Sequence, residues 1–115
     1  MIIEQVLYEY LNAALPDPTF MEEPEERRER FYLLEKVGSY REDYICNSTF
    51  ILQSYAPSLF DAANMNRAGI DAMFDAVALD LVTAVELNTD YNNTDTAEKR
   101  YRYQAVIHVT HYIEE

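Results

Sequence analysis

Cysteine occurs once in these 115 residues, as Cys46. A disulfide within the chain is excluded, and a lone thiol fits a reducing compartment. Cys46 has no histidine or basic residue beside it to favour a thiolate, so it reads as a small core residue. Glycine occurs twice, as Gly38 and Gly69, too few for a Gly-rich loop that cradles phosphates. No apolar run reaches the roughly 18 residues of a membrane-crossing helix, so no membrane partner is expected. The opening MIIEQVLYEYLN carries Glu4 and Glu9 instead of the basic start of a signal peptide, which leads us to expect a chain that is not secreted. On that expectation Asn47-Ser48-Thr49 and Asn92-Asn93-Thr94 match the glycosylation pattern by chance.

Bases are the other scarcity. Nine of them face 21 acids, for a net charge of −12. The surplus is uneven: residues 1–30 hold eight acids and three bases, and residues 57–90 hold six acids and one base. Such a field repels phosphates, and the ten tyrosines are not interleaved with a basic patch, so sequence-specific nucleic-acid binding is not expected. An acidic surface also serves plain solubility.

With 49% apolar residues, the chain can fold as a single domain over residues 1–115 around one modest core. Ile3, Val6, Leu7, Tyr10, Leu11 and Ala14 recur at helical spacing, and Pro16 and Pro18 end that helix. A short extended piece, Thr19 to Glu22, precedes EEPEERRER (22–30), whose only uncharged residue is Pro24. This reads as a mobile surface loop, open to proteolysis at Arg27, Arg28 or Arg30. Phe31 to Val37 reads as a strand closed by a Gly38-Ser39 turn, and Asp43 to Ala56 as a longer strand. Pro57 stops that strand, Ser58 caps a helix, and Asp61 suits its first turn.

The second helix should run from about Leu59 to about Asp80. Asp61, Asn64, Arg67, Asp71 and Asp75 take one side; Ile70, Met73, Phe74, Val77 and Leu81 take the other. Between them lies a stripe of Ala62, Met65, Gly69, Ala72 and Ala76. Gly69 in a helix interior points either to close approach by a neighbouring backbone or to an unoptimised position. Ala84 to Tyr91 and Lys99 to Tyr112 read as a terminal hairpin. The expected fold is α+β, in the order helix-strand-strand-strand-helix-strand-strand. Both helices should pack on one face of a single mixed sheet, with a parallel crossover from the 43–56 strand through the long helix to the 84–91 strand.

Chemistry finds few candidates. His108 and His111 are three apart on a strand and should face opposite ways, so they cannot share a metal ion. Asn88 to Asn92 alternates oxygen ligands like a calcium loop, but Asn93 stands where Gly is required and Lys99 where the bidentate Glu belongs. No cofactor, metal or catalytic set is expected, and the chain reads as a protein that is not an enzyme.

Three blocks carry a resemblance. They are Met21-Glu22-Glu23-Pro24 with FYLLEKVGS (31–39); Ser48 to Ala68, where TFILQSYAPS enters an Ala-rich helix; and Tyr91-Asn92-Asn93-Thr94 with RYRYQAV (100–106) and the ending His111-Tyr112. In order and spacing they resemble the tail terminators (tail completion, or minor tail, proteins) of long-tailed phages and prophages of Gram-positive hosts. The chain departs at Val37, where relatives often carry Thr, and in its highly charged 22–30 loop.

The resemblance implies a homo-oligomeric ring, commonly a hexamer, that caps the completed tail tube, stops its polymerisation and offers the head a docking face. Its partners would be the tail-tube protein and the head–tail connector proteins. Its place would be the tail–head junction of the virion, after assembly in the host cytoplasm. A head-completion or neck connector protein, and an acidic DNA-mimicking inhibitor, are the alternatives. Candidate interface or channel residues are Glu22, Glu23, Glu25, Glu26 and Glu29 in the loop, and Asp61, Asp71 and Asp75 on the helix. The loop is favoured, because a helix packed near the sheet is less free to reach an axis.

Overall fold

A computed structural model of the chain describes residues 1–26 and 28–113. Helix α1 (Ile3–Ala14) is followed by strands β1 (Thr19–Phe20), β2 (Phe31–Glu42) and β3 (Ile45–Ala56). Helix α2 (Leu59–Asp75) then leads through a single 3₁₀ turn at Ala76–Ala78 to β4 (Val82–Asn92) and β5 (Tyr101–Tyr112). The five strands form one mixed sheet in the order β1-β2-β3-β5-β4, parallel only between β1 and β2. The fold is α+β with the expected element order. No helix among the described residues is long and apolar enough to cross a membrane.

One alternating set of strand residues builds the core. Leu34, Phe50, Leu52, Ala105, Ile107 and Val109 are buried together with Ile3, Leu7 and Leu11 of α1 and Ala62, Met65 and Met73 of α2. Asn12 locks the end of α1 to β1: its Oδ1 accepts from Thr19 N at 2.9 Å and its Nδ2 donates to Thr19 O at 3.0 Å. The corner at Pro57 is built as expected, with Ser58 Oγ accepting from Asp61 N at 3.1 Å as the N-cap of α2.

Three features differ from the sequence expectation. First, α2 buries its small-residue stripe, Ala62, Met65, Gly69, Ala72 and Ala76, along with Ile70 and Met73. Phe74 and Val77, placed by spacing on the core side, are exposed. Small side chains let the helix sit close on the sheet, and a face led by Phe74 would hold it away. A Cβ on Gly69 would lie 2.8 Å from Leu52 Cδ2 and 3.0 Å from Tyr32 Cε1, so the close neighbours are side chains of the sheet and not backbone.

Second, α2 stops at Asp75 instead of near Asp80, because Leu79 N donates to Ala76 O and tightens the last turn before β4. Third, Gly38-Ser39 is no turn. Strand β2 runs on to Glu42 with a register shift between Lys36 and Gly38 that leaves Val37 as the extra residue. The hairpin turns instead at Asp43-Tyr44, where Asp43 takes φ 57°, a conformation Asp tolerates better than most residues. The crossover through α2 joins β3 and β4 in parallel as expected, with β5 lying between them in the sheet.

Candidate interaction surface

Both helices lie on one side of the sheet, so no helix among the described residues covers the opposite side. It presents Asn47, Thr49, Ile51, Gln53 and Tyr55 from β3, and Arg102, Gln104, Val106, His108 and Thr110 from β5, paired directly across the two strands. Most are half-buried by their neighbours alone. Their polar atoms are paired within the face. Arg102 Nη1 donates to Tyr55 OH (3.0 Å), Tyr55 OH to Gln53 Oε1 (3.3 Å), Gln53 Nε2 to Gln104 Oε1 (2.8 Å), and Gln104 Nε2 to Tyr91 OH (2.6 Å). That chain of bonds runs from β5 to β3 and back through β5 to β4. Such internal pairing holds the polar side chains of this face in place.

The two histidines divide as their spacing requires. His108 Nδ1 meets Thr49 Oγ1 at 3.0 Å on the open face. His111 lies buried on the helix side, where Tyr112 O can only accept and therefore fixes the ring proton on Nδ1 at 2.8 Å. Nε2 is then the acceptor for Ser48 Oγ at 2.8 Å. Cys46 sits opposite His111 across β3 and β5. The three residues border a groove of about 550 Å³ shared with Lys36, Ser39 and Arg41.

The long axis of the molecule, 45 Å against widths of 24 and 22 Å, ends in two unlike poles. At one end, Tyr55 stacks on Phe31 (4.5 Å between ring centres) and Phe31 meets Phe20 edge-on at 6.0 Å. Three guanidinium groups cover these rings: Arg28 over Phe20 at 5.3 Å, Arg100 over Tyr55 at 4.7 Å and Arg102 over Tyr55 at 5.8 Å. Arg28, Lys99, Arg100, Tyr55 and Tyr101 border a cleft of about 190 Å³ with Glu29 and Pro57. At the other end, β2 and β3 project past the helices to the Asp43-Tyr44 tip, where Tyr40 is 68% and Tyr44 77% exposed.

The acidic residues singled out from sequence are divided between places. Glu22, Glu23, Glu25, Glu26 and Glu29 are exposed beside the aromatic pole, and Glu23 pairs with Arg100. Asp61 joins this group through Arg30, which bridges Asp17 at 3.2 Å and Asp61 at 3.7 Å; these neighbours raise the Arg30 pKa, the hydrogen bond to Asp17 most of all. Asp71 and Asp75 lie apart, toward the far end of α2. Asp71 faces Arg67 at 3.6 Å, and the Asp75 charge adds to burial in raising the Tyr10 hydroxyl above its ordinary pKa. The loop is therefore tethered by ion pairs among the described residues; Arg27, one of the expected cleavage points, lies outside them.

Sequence reasoning missed the basic pole. Arg28 and Arg100 are 72 positions apart, and only the β3–β5 register, which sets Tyr55 against Arg102, brings their guanidinium groups onto one aromatic cluster. The alternation Arg100-Tyr101-Arg102-Tyr103 was the one local signal, since it puts both arginines on one strand face. No family model matches the chain, and no curated protein matches it.

Proposed function

We propose that this chain is a structural phage or prophage protein that closes the finished tail tube as a ring, commonly of six copies. In this role it stops tube growth and gives the head its docking surface at the tail–head junction. Its partners are further copies of itself, the tail-tube protein and the head–tail connector proteins, and it works by contact rather than by catalysis. The observation that carries this reading is the helix-free sheet face, internally hydrogen-bonded and four long strands wide, in a chain whose three sequence blocks resemble tail terminators. Tyr40, Tyr44, Tyr91 and Tyr112 are exposed, and tyrosine is a residue that protein interfaces favour.

The acidic surplus suits a channel through which DNA slides, since a lumen that repels phosphates gains nothing from counterion release. Glu22, Glu25 and Glu26 of the loop are the first candidates to line it; Glu23 and Asp61 are engaged by arginines and serve the loop's own anchoring.

The test is to mix the purified chain with tail-tube subunits during tube growth and to image tube ends. Shorter tubes carrying a ring at one end are expected. Tubes that reach their usual length with bare ends would remove this reading, and binding to heads without any effect on tubes would favour a neck connector.

A further inference from the structure

We infer that the two poles are the two halves of one head-to-tail contact, in which the β2–β3 tip of one copy enters the basic aromatic cleft of the next. The inference deepens the ring-forming reading and rests on it in one respect, that the contact closes on itself. Charge carries it first. Acids crowd the aromatic end as well as bases, but the cleft itself is lined by Arg28, Lys99 and Arg100 against one acid, Glu29. The tip offers Glu42 and Asp43, both exposed. Arg41, the one base at the tip, borders the helix-side groove with Ser48 and His111.

The cleft is already built for carboxylates, because Glu23 supplies one to Arg100. Lys99 has no ion-pair partner among the described residues. Shape carries the inference next. A cleft of about 190 Å³ is smaller than the roughly 300–1,000 Å³ of small-molecule sites, and it takes side chains, not a ligand or a helix. Tyr44 at the tip is a largely exposed aromatic ring, and Tyr101 and Pro57 at the cleft offer it apolar cover. Finally, the register puts Glu42 at one end of β2 and Phe31 at the other, so one chain cannot make the contact with itself. A contact between two different patches, made once by each pair of copies, is heterologous and generates rings or filaments.

Disulfide trapping tests this even if the contact is weak. One chain carries Tyr44→Cys and a second Lys99→Cys, both in a Cys46→Ala background with folding checked by thermal melts. Should that background unfold, Cys46 is kept, since it is buried. Mixed dimers are expected roughly tenfold faster than either homodimer. Adding Glu42→Lys to the first chain should remove that advantage, and adding Arg28→Glu to the second should restore part of it. Mixed dimers no faster than homodimers, or indifferent to Glu42→Lys, would overturn the contact. Tube capping by the unaltered chain without the trapped pair leaves the terminator reading standing alone; the trapped pair without capping leaves the contact standing alone.

Discussion

Gly69 and Tyr32 meet where α2 lies closest to the sheet, and each constrains the other. Helix propensity alone favours Gly69→Ala by about 1 kcal/mol. Against this, the new Cβ would press on Leu52 Cδ2 at 2.8 Å and on Tyr32 Cε1 at 3.0 Å. Tyr32 cannot swing aside without losing the 2.8 Å hydrogen bond its hydroxyl donates to Met65 O, one turn before Gly69. Overpacking of this kind costs about 1–3 kcal/mol, so Gly69→Ala should destabilise by about 1 kcal/mol in denaturant titration. A stabilised variant would show that the close approach has slack. Tyr32 also sets the alkaline limit. Burial first, and the Asp17 charge second, push its hydroxyl up to about 12 against a nearby Arg30 that lowers it. Because the folded value lies above the unfolded one, the stability is fully present below pH 10 and is lost as pH rises toward 12, by about 2–3 kcal/mol. Tyr32→Phe should cost about 1 kcal/mol at pH 7 yet flatten the fall between pH 10 and 12. An unchanged alkaline profile in the variant would place the cause elsewhere, with Tyr10 the next candidate.

Elements differ in what anchors them, and that decides how each responds to salt. The segment between β1 and β2 is held by Glu23 to Arg100, by Arg30 to Asp17 and by Arg28 over Phe20, all near solvent. Screening weakens such contacts as the Debye length shrinks from about 10 Å at 0.1 M toward 3 Å at 1 M. Trypsin should therefore cut after Arg28 several-fold faster at 1 M salt than at 0.1 M, relative to a short peptide substrate, while the β strands stay intact. A rate indifferent to salt would mean that the ion pairs do not hold the segment. The same distinction explains what was legible beforehand. Helix α1, the Pro57-Ser58 corner and the alternation of β3 and β5 follow from local chemistry, and each is where the spacing puts it. The extension of β2 past Gly38 was not legible, because a glycine reads as a turn until cross-strand pairing with Thr49 is known. The buried face of α2 was misjudged for a related reason. Hydrophobic spacing ranks Phe74 above Ala72, but the sheet beneath accepts only the smaller side chain at that distance. Of the candidate surface, the acids could be named from sequence; the pole formed by Arg28, Arg100 and Arg102 could not, because strand register assembles it.

At the scale of the whole molecule, an elongated shape, a net charge of −12 and a cleft lined by Arg28, Lys99 and Arg100 pull assembly in two directions. Laid end to end through the proposed contact, six copies of a 45 Å molecule form a hexagon whose radius equals its side. A chain only 24 Å across leaves the centre of such a ring open, as the proposed passage of DNA would require. Each added copy, however, brings its own acidic surplus close to the others, and this repulsion acts over long distances. The attraction between Glu42 or Asp43 and the cleft acts only at contact. Salt separates the two by range. At about 10 mM the Debye length is near 30 Å and the like-charged bodies repel across most of their length; at about 150 mM it is near 8 Å and the repulsion fades, while contact pairs persist; at about 1 M it is near 3 Å and those pairs weaken too. Self-association measured by sedimentation should therefore rise from 10 to 150 mM salt and fall again toward 1 M. With Glu42→Lys the fall at high salt should vanish, because the contact that salt weakens is gone, and association should stay low throughout. A steady rise to 1 M in the unaltered chain would instead identify apolar contacts, such as Phe60 on the outer turn of α2 at 77% exposure, as what joins the copies.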